Sequence, residues 1–245
     1  MAQSYWLEKH LREEHRSSPI QTYLKEIVYG ATDGIITTFA VVAGFTGAQN
    51  TAAIPAMSTL TVLLFGLANL LADGASMGLS NFLSLRSEQD IYKTQMAKEA
   101  REIKNNPEME REETIEILME KGFEKKDAEA ITSLYMKNPK YWLSFMMNDE
   151  LQLPNTLGEK PHLNAIATFF AFVCFGIIPL VPYIINPVQD TFPKSLTATF
   201  LALLVLGLLR FKVTGENIIR CVLEVLLVGT LAASIAYFVG TLFKF

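Results

Sequence analysis

NLLADGASMGLS, residues 69–80, lies inside the run 54–85, whose only charged residue is Asp73. A run that long and apolar exceeds what a soluble helix uses and reaches the ~20 residues of a bilayer span. A lone carboxylate at that depth costs ~2.5 kcal/mol or more on insertion scales, which marks Asp73 as a candidate functional residue. On a helix, Asn69, Asp73 and Met77 fall at i, i+4 and i+8 and share one face. An amide oxygen, a carboxylate and a thioether then look into one space. That mixed donor set suits a transition-metal ion better than magnesium or calcium. Gly74 and Gly78 form a GxxxG pair in the same stretch, so close helix packing is an alternative reading for Asn69 and Met77. Packing alone does not call for a carboxylate.

Outward from this stretch, four more apolar runs follow the same logic. The first, 27–47, contains YGATDGIITTFAVVAG, with Asp33 as its only charge and Gly30 and Gly34 flanking it as another GxxxG pair. A second helix can therefore approach Asp33 closely. Pro55 stands where the second span begins, a favoured place for proline. The third span, 163–185, carries Pro179 and Pro182, which predict a kink or an end. The fourth is 196–209 and the fifth 217–243, where Arg220 and Glu224 are spaced for an ion pair. The fold class is thus an all-α membrane protein with five transmembrane helices. Composition agrees: the chain has 245 residues, 50% of them hydrophobic, and a mean hydropathy of +0.26. A net charge of −4 gives no sign of nucleic-acid binding. The two cysteines, Cys174 and Cys221, form no CxxC motif and read as buried apolar residues.

Between the second and third spans the composition changes. Residues 86–157 carry most of the acidic side chains, interspersed with Lys and Arg, and Pro107, Gly122 and Pro139 divide them into short helices. Leu118, Ile131, Leu134, Tyr135, Trp142 and Phe145 are the expected core of this inserted helical domain. Its acids come in pairs: Glu99 with Glu102, Glu113 with Glu116, and Met146 with Glu150 next to Met147. Each set faces one side of its helix. Brought together, they would form a carboxylate cage edged with thioether sulfur. The spacing is equally that of solvated helix faces, and methionines also fill cores.

The domain plan is then 1–26, a charged amphipathic helix lying on the membrane; 27–85, spans one and two; 86–157, the helical domain; and 158–245, spans three to five. The first twenty residues are polar and do not read as a signal peptide. Lys and Arg crowd the helical domain and the 4–5 loop, whereas the 1–2 loop has no charge and the 3–4 loop holds only one basic residue, Lys194. By the positive-inside rule, the N-terminus and the helical domain are cytosolic.

Four stretches together resemble the vacuolar iron transporter family: YGATDGIITTFAVVAG, ADGASMGLSNFLSLRSEQD, the glutamate-rich segment and NPKYWLSFMMNDELQL. The resemblance implies export of Fe²⁺ or Mn²⁺ from the cytosol in exchange for protons, by a homodimer with the ion path between the two subunits. Such a protein is a transporter and no enzyme, serves iron homeostasis, carries its metals as substrates and uses no cofactor. Its partners are membrane lipid, divalent ions and protons. The resemblance places Asp33 and Met77 in the ion path and Glu99, Glu102, Glu113, Glu116, Met146, Met147 and Glu150 in the cytosolic metal site. Where plant-type members carry a second-span glutamate, this chain has Asn69, with Asp73 one turn later. The short chain is similar to bacterial-type members, which implies the cell membrane over a vacuolar one. A membrane-anchored di-iron ferroxidase and a metal sensor are the competing classes. The first usually needs Glu-x-x-His pairs, and 86–157 has no histidine.

Overall fold

The structure, a computed structural model, describes residues 19–48, 55–185 and 191–242. The amphipathic helix expected at the N-terminus falls largely on residues 1–18, outside the described residues, as does the 1–2 loop. The described residues form helices joined by turns and short irregular segments, without strands. In chain order they form α1 (Pro19–Thr22), α2 (Leu24–Ala48), α3 (Pro55–Asn105), α4 (Pro107–Glu120), α5 (Lys125–Met136) and α6 (Pro139–Phe145). A π-turn (Met146–Glu150) follows, then α7 (Pro161–Gly176), a 3₁₀ turn (Ile178–Leu180), α8 (Val181–Ile185), α9 (Thr191–Thr214) and α10 (Ile218–Leu242). Among the described residues, five helical stretches are long and apolar enough to cross a membrane, so the chain is a multi-pass integral membrane protein.

The described residues fall into two compact units, one made of those up to 82 and from 162 onward, the other of 83–161. In the first unit α2 is the organising helix. Its Ala31 and Ile35 pack with Ala202, Leu203, Leu206 and Val225. One turn further, Phe39, Val42 and Ala43 pack with Val62, Leu180 and Tyr183. The proline-bearing third span breaks where expected. α7 ends at Gly176, and Leu180 N–H turns back to Ile177 O at 2.9 Å, because Pro179 has no N–H to continue the α ladder.

The GxxxG pairs find their partner within the chain, and it is the third span for both. A Cβ at Gly30 would stand 2.6 Å from Thr168 O, and one at Gly34 would collide with the Phe172 carbonyl. Gly78 faces Ala165 O in the same way, at 3.0 Å. Glu26 and Asn164, Gly30 and Thr168, and Gly34 and Phe172 are all offset by 138 residues. A constant offset at four-residue steps means that α2 and α7 run parallel with their i±4 ridges in register. Gly34→Ala is accordingly expected to destabilise the bundle by about 1–3 kcal/mol through overpacking. Thermal unfolding in detergent would show it, while Gly158→Ala, with nothing within 4 Å of the added methyl, should be neutral.

The inserted unit has its own core of Ile115, Leu118, Ala128, Trp142, Phe145 and Met146, with Ile131 and Tyr135 packed against it. Leu134, expected in that core, is 62% exposed. It lies on the far side of α5 from Ala128 and Thr132, the buried residues of that helix. The segment expected as a separate helix over 87–104 is instead the second half of α3, which runs 51 residues without interruption, about 75 Å at 1.5 Å per residue. No proline or glycine stands between Gly78 and Pro107 to end it. Gln89, buried on α3, donates from Nε2 to Thr156 O and Glu159 O, both at 3.0 Å, and pins the return segment of the same unit.

Candidate metal sites

Within the membrane unit, Asp33 sits half-buried on α2 and Asp73 exposed on α3. They are near enough for the charge of Asp73 to act on Asp33. Asn69 Nδ2 donates to Asp73 Oδ2 at 3.3 Å, so the expected i, i+4 pair on that face is formed. Met77 is half-buried one turn further along the same helix. Asn69 also lines a cavity of about 520 Å³ with Ala40, Gly44, Phe65 and Gly240. Ala40 and Gly44 lie seven and eleven residues beyond Asp33, on the same face of α2. Among the described residues, neither aspartate has a basic partner.

The inserted unit brings one oxygen from each of Glu99, Glu110 and Glu150 to within 4.8 Å of the others. They come from three elements: α3, α4 and the π-turn. Glu99 and Glu110 are 3% and 5% exposed, and Glu99 Oε1 and Glu110 Oε2 have no hydrogen-bond partner. Buried carboxylate oxygens without donors are costly, and a bound cation is the group that would satisfy them. Burial, the hydrogen bond shared with Glu110 and the charges of Glu150, Glu110 and Glu102 push the Glu99 carboxyl up to about 8. Burial also raises Glu110, with the Glu99 hydrogen bond opposing. Glu150 is raised by burial first and then by the charges of Glu113, Glu110 and Glu102. Without a cation, Glu99 therefore holds its proton at neutral pH.

Of the residues expected from the sequence, Glu99 and Glu150 belong to this trio. Glu102 and Glu113 stand within electrostatic reach of it, and Glu102 also pairs with Lys98 at 3.5 Å. Met146 and Met147 are fully buried in the π-turn that ends in Glu150. Glu116 is exposed and is not among the charges acting on the trio. The third member of the trio is Glu110, which the pairing of acids passed over. The signal was present. Leu118, Thr114 and Glu110 recur at four-residue steps, so Glu110 continues the buried stripe of α4. A glutamate in line with a core stripe is a stronger indication than two glutamates near each other.

At the 4–5 loop, Arg220 Nε donates to Glu224 Oε1 at 2.9 Å as its spacing suggested, and Arg210 Nη1 adds a second bond to Oε2 at 2.6 Å.

The VIT family matches residues 24–241. A vacuolar iron transporter of Centaurea cyanus is 32% identical over 237 residues, covering 96% of this chain and 93% of that protein. One from Toxoplasma gondii is 33% identical over 256 residues, covering 99% and 82%. Vacuolar iron transporter 1 of Arabidopsis thaliana is 34% identical over 215 residues, covering 87% and 83%. With its five spans, its intramembrane carboxylates and a match over nearly its whole length, the chain belongs to the VIT family.

Proposed function

We propose that this protein moves Fe²⁺ or Mn²⁺ out of the cytosol in exchange for protons. The observation that carries the reading is the pair of intramembrane carboxylates, Asp33 and Asp73, on neighbouring spans, with no basic partner among the described residues. Two acids that repel each other in a low-dielectric setting bind either a divalent cation or protons, and an exchanger alternates between the two. Family membership and the relatives' names support metal transport rather than enzymatic chemistry. The trio Glu99, Glu110 and Glu150, with Glu102 and Glu113 nearby, would collect the ion on the cytosolic side, and Met146 and Met147 would add soft donors. It holds three glutamates and no histidine, which favours binding over ferroxidase chemistry.

Asp73 and the exposed leucines of α3, among them Leu64, Leu71 and Leu79, would face lipid in a lone protomer. A carboxylate facing hydrocarbon is costly, so a second copy covering this face accounts for it. The homodimer places two Asp73 side chains on one path. Metal uptake into proteoliposomes under an imposed pH gradient tests the whole reading. Flux of Fe²⁺ or Mn²⁺ should follow the gradient and carry protons the other way. Flux indifferent to the gradient would remove the exchange.

The topology has its own test. With the N-terminus and the inserted unit cytosolic, cysteines introduced at Lys125 and Lys194, both exposed, are expected to label from opposite sides of the membrane. Labelling of both from one side would overturn the five-span arrangement.

A further inference from the structure

Thr114 stands at the centre of a buried relay in the inserted unit. It is fully buried on α4, four residues after Glu110. Its Oγ1 accepts a hydrogen bond from Trp142 Nε1 at 2.8 Å. The same oxygen lies 2.7 Å from Glu110 O and 3.3 Å from Met146 Sδ. A threonine hydroxyl has one proton and two lone pairs. Trp142 takes one lone pair, so the single proton is shared between a carbonyl and a thioether. The carbonyl is the better acceptor, and a thioether is a weak one. The Met146 sulfur is thus held in place by a contact that leaves it a free lone pair.

Met146 is tied through the chain to two of the three residues that bear the carboxylates. Met146 opens the π-turn that Glu150 closes, and the Leu151 N–H bond to Met146 O at 3.1 Å fixes that turn. On the other side, Thr114 ties it to the backbone of Glu110. π-Turns of this kind are frequent at functional sites, where they re-aim side chains.

We propose that Thr114 is a positioning residue for metal selection. Through its hydroxyl it holds the Met146 thioether toward Glu110 and Glu150, and so sets the preference of the site for softer over harder divalent ions. The inference rests on reading the carboxylate trio as a metal site. A bound soft ion draws electron density from sulfur, which weakens the O–H···S contact. The proton then passes wholly to Glu110 O, so the hydroxyl stays satisfied in both states. Hard ions gain little from sulfur and are indifferent to where it points.

The test measures Cd²⁺ and Mn²⁺ binding by calorimetry on the full-length protein in detergent. Thr114→Val keeps the branched shape and removes the hydroxyl. The preference for Cd²⁺ over Mn²⁺ is expected to fall about tenfold, the lower end for loss of an outer-shell partner. Mn²⁺ affinity should change little. Thr114→Ser should restore the preference. Thr114→Val added to Met146→Leu should cause no further loss, because the sulfur it positions is gone. Where the valine variant fails to fold, Thr114→Ala reads the same effect. An unchanged preference in a folded variant overturns the inference, and so does an equal loss for both ions, which marks a structural role. If the wild type binds neither ion, or binds them equally well after Glu99→Gln with Glu110→Gln, the trio itself is not the site and both readings fall.

Discussion

Asp33→Asn is expected to lower metal flux at least 100-fold while the protein still folds and inserts. A divalent ion leaving water needs anionic ligands to offset a desolvation cost of several kcal/mol per ion, and each 1.36 kcal/mol lost is roughly tenfold in rate. Asparagine keeps the size and hydrogen bonding of the side chain but offers only a neutral oxygen. It also cannot take up and release a proton in exchange. The fold should not suffer. Asp33 has no basic partner among the described residues, and its electrostatic neighbour is the like charge of Asp73. Removing the charge relieves repulsion rather than breaking a pair, so thermal stability in detergent should hold or rise as flux disappears. That opposite movement separates a transport residue from a structural one. Asp73→Asn should be nearly as severe, since Asn69 leaves its helix face with a single carboxylate. Met77→Leu conserves volume and removes only sulfur. It should narrow the preference for Fe²⁺ over Mn²⁺ more than it lowers total flux. The measurement is proteoliposome flux normalised to inserted protein, with internal pH recorded. Wild-type flux with proton counterflow in Asp33→Asn would place the path elsewhere.

Asp33 and Asp73 were legible in the sequence as candidates for a simple physical reason. Each is the lone charge in an apolar run, and the cost of placing it there makes it conspicuous. The spans were legible from those runs, and the interruption of the third span from Pro179 and Pro182, which kink or end a helix. What the sequence left open were choices among partners. Two GxxxG pairs announced close helix contacts but not that both would meet the third span, because small residues specify distance and not identity. The continuity of α3 past the membrane was concealed by a change in composition, although polarity does not end a helix and only a breaker would have. In the inserted unit, glutamates are common enough on helix surfaces that pairs of them carry little information. Glu116 follows the spacing and faces solvent. Glu110 follows the stripe of Thr114 and Leu118 into the core, and the burial it undergoes there needs α3 and the π-turn to close over it.

That burial leads to an expected pH dependence of metal binding. Metal binding to the wild-type protein is expected to tighten about tenfold per pH unit between pH 6 and 8 and to level off above, because one proton must leave for the ion to bind. Glu99 supplies that proton. Its carboxyl is pushed up to about 8 from an ordinary 4.5, so it is protonated at neutral pH when no cation is present. The sign for stability is opposite. Between these two values the folded, metal-free protein binds one more proton than the unfolded chain, so its stability is full below 4.5 and is lost as pH rises through 8. A divalent ion replaces the proton and restores what high pH removes, so the stabilisation by Mn²⁺ should grow from pH 6 to pH 8. Glu99→Gln with Glu110→Gln removes both buried carboxylates and leaves Glu150 alone. Affinity at pH 8 should fall by about two orders of magnitude, the scale on which ligand charge sets divalent-ion binding, and the pH slope should flatten. Calorimetry of Mn²⁺ binding to the full-length protein at pH 6, 7 and 8, in two buffers of different ionisation enthalpy, counts the protons released. Release of about one proton per ion at pH 7 is the expected result for the wild type. Binding with no proton release and no pH slope would mean that Mn²⁺ is held by other exposed glutamates, Glu116 among them, and that the Glu99, Glu110 and Glu150 trio serves some other purpose.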